Sequence, residues 1–219
     1  KAVAAKAPVK KTSTKESYHD AQRIVVLDFG SQYTQLIARR LRELRYYAEI
    51  HPHTLIAEEI KKLNPAGVIL SGGPSSVYEK GAPQVDKKVF DLGVPVLGIC
   101  YGLQLICHLN GGKVAASKER EYGRATLRAR KSSPLLTGIK SGQVWMSHGD
   151  KIVSLPKRFS VIGTSENSPM AAFADEKARI YGLQFHPEVH HSTQGKAILK
   201  NFASAICGMK PNWTMSRFV

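Results

Sequence analysis

Three short, unbroken apolar runs constrain this chain most: Ile24-Val25-Val26-Leu27, Ala66-Gly67-Val68-Ile69-Leu70 and Val94-Pro95-Val96-Leu97-Gly98-Ile99. None alternates apolar with polar residues, and β-branched side chains recur in each, which is the pattern of strands buried on both faces. Helical spacing lies between them. Tyr33, Leu36, Ile37, Leu41 and Leu44 fall on one helical face, with Arg39, Arg40, Arg42 and Arg45 mostly opposite. Residues 46–50 alternate weakly, as in another strand, and helices are expected over 56–63 and 84–92. Strands and helices alternating in this rhythm predict an α/β fold, a central, mostly parallel sheet flanked by helices. From 113 to 183 the pattern changes to short strands separated by turn signals, predicting a smaller mixed or antiparallel sheet. A last helix is expected over 193–206.

The 219 residues suit one domain with a large core. Residues 1–22 carry five lysines against Glu16 and Asp20, show no apolar periodicity and read as a flexible basic tail. The domain proper is expected over 23–208. The net charge is +15, most of it in that body. Such charge could face nucleic acid, an anionic protein surface or solvent. No nucleic-acid module or interleaving of aromatic with basic residues accompanies it, so nucleic acid is not expected as a partner. No apolar run approaches the length of a membrane span and none has the order of a secretory signal, so no membrane association is expected. Cys100, Cys107 and Cys207 form no disulfide framework and no C-x-x-C pair, which fits a reducing, cytoplasmic setting. His186 and His190 have a metal-like spacing, but Pro187 between them breaks any shared helical face, and no metal site is expected.

Sites in open parallel sheets form beyond the carboxyl ends of the strands. At one such end stands Gly98-Ile99-Cys100-Tyr101-Gly102, a G-x-nucleophile-x-G elbow with cysteine at its centre and a helix expected over 103–109. Flanking glycines let strand and helix approach closely, and a helix N-terminus favours thiolate. Alone, the pentapeptide equally suits a small core residue. A second strand end, 180–183, leads into Gln184-Phe185-His186-Pro187-Glu188. A cysteine nucleophile needs a base and the base needs an orienting carboxylate, and His186 and Glu188 supply both, two residues apart. Cys107, mid-helix among apolar neighbours, and Cys207 have no such context. The third element is Ser71-Gly72-Gly73-Pro74, where the Gly73 N–H, with that of Tyr101, could hold an oxyanion. It lacks the lysine of an ATP-binding loop.

Taken together these residues resemble the class I (triad) glutamine amidotransferases, over about 23–208. The resemblance implies a flavodoxin-like sheet, with Cys100 as nucleophile, His186 as general base and acid, and Glu188 as the orienting carboxylate. The backbone of Gly73 and Tyr101 would form the oxyanion hole. Gly72, Gln104 and the Ser147-His148-Gly149-Asp150 loop would bind glutamine, Asp150 either touching it or pairing with Arg120 or Arg124. Tyr101, the Ser-His-Gly-Asp segment and His-Pro-Glu-Val-His-His-Ser-Thr from His186 are similar to the version found in GMP synthases. So is Trp213-Thr214-Met215, which makes 209–219 the expected start of a linker to an ATP pyrophosphatase (synthetase) domain. The Ser-Gly-Gly-x-Asp-Ser loop of that domain does not occur in this sequence. The resemblance therefore implies glutamine as substrate, the synthetase domain as partner and no cofactor in this domain; ATP and Mg belong to the synthetase step. The strand face of Arg124, Thr126, Arg128 and Arg130 is a candidate for docking that partner, or for solvent. An amidotransferase serving another synthetase, a γ-glutamyl hydrolase and a non-catalytic regulatory module are the alternatives.

Overall fold

The computed structural model of the protein describes residues 22–214, the side chains of residues 118–120 excepted. The basic tail up to residue 21 and residues 215–219 lie outside the described residues. One nine-stranded sheet organises the domain, in the order β2-β1-β3-β4-β9-β8-β7-β5-β6. Its parallel part joins β1 (Arg23–Asp28), β2 (Tyr47–Pro52), β3 (Gly67–Leu70), β4 (Val96–Ile99) and β9 (Ile180–Leu183). The apolar runs are buried on both faces for a visible reason. Ile24, Val26 and Ile69 point into one core with α1 (Thr34–Glu43) and α4 (Gly195–Asn201). Val25, Leu27 and Val68 point into the other, with α2 (Ala57–Lys62) and α3 (Tyr101–Leu109). Continuous apolar sequence is what a strand between two helical layers requires.

Beyond β9 the sheet turns antiparallel through β8 (Ala172–Asp175) and β7 (Ser160–Thr164) to a long hairpin, β5 (Lys113–Ala129) and β6 (Ser141–Ser154). These strands therefore continue the central sheet rather than forming a separate smaller one, and two of them are long. Charged and small residues in β5 hide its length from a periodicity count. The helix expected over 84–92 is only a 3-10 turn at Lys87–Asp91: the Asp86 carboxylate caps its start at the Lys88 amide, and Gly93, at φ +72°, turns the chain just after it. The last helix begins at Gly195 and passes into a π-helical turn at Phe202–Ile206. The chain continues to pack past residue 208: Met209 is buried, and Trp213 stacks on Tyr47 while its backbone amide donates to Arg45 O. Among the described residues no helix is long and apolar enough to cross a membrane.

Candidate active site

The carboxyl ends of β3, β4 and β9 lie side by side, so their next residues meet. The Cys100 amide donates to Leu183 O at 2.7 Å, and that of Gly102 to Ser71 O at 3.1 Å. Cys100 has φ +52°, the left-handed turn between β4 and α3 that aims its side chain away from the sheet. This turn is possible because both flanking residues lack a side chain. A Cβ on Gly98 would stand 2.5 Å from the Gly102 carbonyl, and one on Gly102 would stand 2.3 Å from Leu70 O. The elbow is thus built by close backbone contact between strand and helix.

Cys100 and His186 face the same cavity, and His186 Nδ1 donates to Glu188 Oε1 at 2.7 Å. His186 and Glu188 are 3% and 0% exposed, so this line of groups is shielded from water. Burial alone would depress the imidazole, but the Glu188 charge and the nearby Cys100 sulfur outweigh it and hold His186 well above its ordinary value. Arg40 fixes the loop from α1, donating Nε–H to Glu188 O at 2.9 Å. The Cys100 thiol also reaches Ser147 O at 3.5 Å. The other cysteines differ in kind. Burial pushes the Cys107 thiol up to about 11 and raises Cys207 further, which keeps both as unreactive thiols.

A cavity of about 740 Å³ opens over Cys100. It brings together Gly73, Cys100, Tyr101, Gln104, His186 and the whole of 147–150. Gly72 is not on its wall; it packs under His186, where a Cβ would come 3.1 Å from the ring Cε1. Ser147 to Asp150 form no loop but the middle of β6, which the hairpin carries across the strand ends: His186 donates its amide to Trp145 O at 3.0 Å. Gln104 donates Nε2–H to Asp150 O at 3.1 Å, tying α3 to β6. The Asp150 carboxylate accepts from Tyr78 Oη at 2.9 Å, so among the described side chains its partner is a tyrosine, not Arg124; the Arg120 side chain lies outside the described residues. Tyr101, as the first residue of α3, has an amide with no partner inside the helix, as an oxyanion donor requires.

Sequence reasoning missed four contributors. Tyr33 was expected on the buried face of α1, yet it precedes the helix and sets its ring edge-on to His186, with centroids 5.1 Å apart. Tyr78 and Tyr122 line the cavity from loops and strand positions with no periodic signal. Glu121 lies behind His148 in a bulge of β5.

An elbow cysteine, a buried histidine–carboxylate pair on the neighbouring strand end and an amide-lined cavity define a cysteine-dependent amidohydrolase site. The family model of class-I glutamine amidotransferases matches residues 25–206, and the chain belongs to that family. It is 52% identical over 204 residues to the glutamine-hydrolysing GMP synthase of Listeria monocytogenes, covering 93% of this chain and 39% of that protein. The Bacillus cereus enzyme is likewise 52% identical over 202 residues, at 92% and 39% coverage. The chain thus spans about two-fifths of the length of these curated relatives. Among solved structures, a Thermoplasma acidophilum protein provisionally described as one of the subunits of GMP synthase matches with TM-score 0.78 and 33% identity, over 87% of this chain and 96% of that one. A Thermotoga maritima glutamine amidotransferase, 20% identical with TM-score 0.69 over 86% and 99%, shares the fold.

Proposed function

We propose that this domain hydrolyses glutamine through a thioester on Cys100, and that the ammonia aminates XMP to GMP on a synthetase (ATP pyrophosphatase) domain. The observation that carries the reading is Cys100 beside the buried, hydrogen-bonded His186–Glu188 pair at the mouth of a cavity. Cys100 Sγ attacks the side-chain amide carbon of glutamine, and the carbonyl oxygen takes the negative charge between the Gly73 and Tyr101 amides. Donors placed in this way are worth about 3 kcal/mol each in the transition state. His186, which holds its proton firmly, gives it to the departing nitrogen, and ammonia leaves. Water then attacks the thioester while His186 takes its proton; collapse frees glutamate and restores the sulfur. Glu188 keeps the ring oriented and stabilises its charged form throughout. Gln104 and β6 form the wall that receives the amino-acid end of the substrate.

In this reading the domain itself uses side chains, backbone amides and water, and ATP and Mg²⁺ act in the synthetase step. The exposed Arg124 and Arg128 of β5, with Arg130 just past its end, are a candidate docking face, although Arg128 already faces Glu166 at 3.6 Å. The link to the relatives named GMP synthase supports XMP as the acceptor. The test is ammonia and glutamate release with and without the synthetase domain, XMP and ATP. A sharp rise with the full set is expected; glutamine turnover indifferent to XMP and ATP would contradict the GMP assignment.

A further inference from the structure

Behind the cavity lies a second buried imidazole–carboxylate pair that the hydrolysis steps do not use. His148 on β6 and Glu121 on β5 are register partners across the hairpin, and His148 Nε2 stands 3.1 Å from Glu121 Oε2. Both residues are more than nine-tenths buried, as are Ser165 and Ser168 beside them. The Ser168 hydroxyl donates to Glu121 Oε2 at 2.8 Å, and Ser165 approaches Oε1 at 3.5 Å. On its other side, His148 Nδ1 lies 2.9 Å from Asp150 O. The same carbonyl accepts from Gln104.

The chemistry of these contacts fixes where the protons are. A peptide carbonyl only accepts, so His148 Nδ1 carries a hydrogen. The line from Nε2 to the Glu121 carboxylate then needs one further proton, held by either partner, or two lone pairs would face each other. Burial works against a charged His148, with the Glu121 charge and the Asp150 carbonyl opposing it, and the net direction is below the ordinary value. Either way, the pair shares one proton and locks the ring plane. That plane aims Nδ1–H at Asp150 O.

The backbone explains why Glu121 can reach this position. Between Ala116 and Glu121, five steps along β5 oppose only the two from Asp150 to His148 on β6. Residues on both sides of this bulge, Ala116, Ser117 and Tyr122, line the cavity, and Glu121 at its end anchors it to β6. Bulges placed so commonly re-aim a side chain beside a site.

We propose that Glu121 is a positioning residue for glutamine binding: through His148 it holds the Asp150 carbonyl, and with it Gln104, in the wall that receives the substrate. This inference rests on the glutaminase reading above. It acts on binding and not on the sulfur, so its signature is a split between KM and kcat.

The experiment compares Glu121→Ala, Glu121→Gln and wild type in the full-length protein, measuring glutamine KM, kcat and the rate of Cys100 alkylation by iodoacetamide. Glu121→Ala leaves Nε2 of buried His148 with only the Ser168 hydroxyl, 3.5 Å away, and KM is expected to rise about tenfold or more, with kcat and alkylation changed less than about threefold. Glu121→Gln, which can still hydrogen-bond Ser168 and the imidazole, should return KM to within about threefold of wild type. Should the alanine variant not fold, Glu121→Asp, with its carboxylate withdrawn by one methylene, should raise KM in the same sense. An unchanged KM in Glu121→Ala or Glu121→Asp, or parallel losses of kcat and alkylation, would overturn the inference alone. Absence of glutamine turnover in wild type would overturn the glutaminase reading and this inference with it.

Discussion

Gly102→Ala should damage the nucleophile without touching any reacting group. The new Cβ would lie 2.3 Å from Leu70 O, 2.8 Å from Leu70 Cβ and 2.9 Å from the Leu70 carbonyl carbon. Two of these three atoms are backbone, so no rotamer change relieves the clash. Restoring ordinary contact near 3.4 Å requires α3 to retreat from β3 by about 1 Å, since close-packed cores offer no spare room. Overpacking of this kind costs about 1–3 kcal/mol. For a domain of this size that lowers Tm by about 2–12 °C. The catalytic effect should be larger than the stability effect, because the retreat separates Cys100 and the Tyr101 amide from Ser71-Gly72-Gly73. It also strains the Gly102 hydrogen bond to Ser71 O. A misplacement of about 1 Å can lower turnover about 100-fold. Steady-state glutamine hydrolysis and a thermal melt on the same sample read both quantities. A variant with kcat within about threefold of wild type and an unchanged Tm would refute the close-contact account of the elbow.

Two further perturbations test the walls of the site. In Glu188→Gln the charge that raises His186 is gone, so the alkaline limb of the pH–rate profile should move down by about 1–3 pH units. The sign also governs stability. A raised His186 contributes fully below its ordinary value near 6.5 and loses that contribution as pH rises through the raised value, so wild-type Tm should fall over the alkaline range more than that of Glu188→Gln. An alkaline limb unmoved by the substitution would show that Glu188 does not set the proton affinity of His186. Tyr78→Phe removes the hydrogen bond to Asp150, worth about 1 kcal/mol at this half-exposed position, and should raise glutamine KM about fivefold at nearly constant kcat. An unchanged KM would release Tyr78 from the substrate wall.

The parts of the molecule legible in the sequence are those whose physics is local. Ile24 to Leu27 announce a doubly covered strand because both faces must be apolar. Gly98 and Gly102 announce an elbow because no other residue fits there. His186 and Glu188 are near in sequence as well as in space, so their pairing could be read directly. What escaped depends on distant contacts. The length of β5 and β6 comes from pairing with each other, and the charged run at 118–120 interrupts any alternation. Ser147 to Asp150 look like a loop because Gly149 and polar neighbours dominate locally, while their strand pairing is supplied by β5. Tyr33 sits at helical spacing with the core residues of α1, yet the Asp28 carboxylate, bonded to the Gly30 amide and the Thr34 hydroxyl, starts the helix one residue later. Glu121 carries no sequence signal at all, because its partner His148 is brought opposite only by a bulge.

The most direct test of the central claim is to capture the covalent intermediate. Protein mixed with glutamine, quenched in acid and digested should yield the peptide containing Cys100 heavier by one γ-glutamyl group, with the adduct labile to hydroxylamine as a thioester is. The account predicts that adduct in wild type and its loss in Cys100→Ala. Glutamine turnover that persists in Cys100→Ala, or an adduct on Cys107 or Cys207 instead, would contradict it.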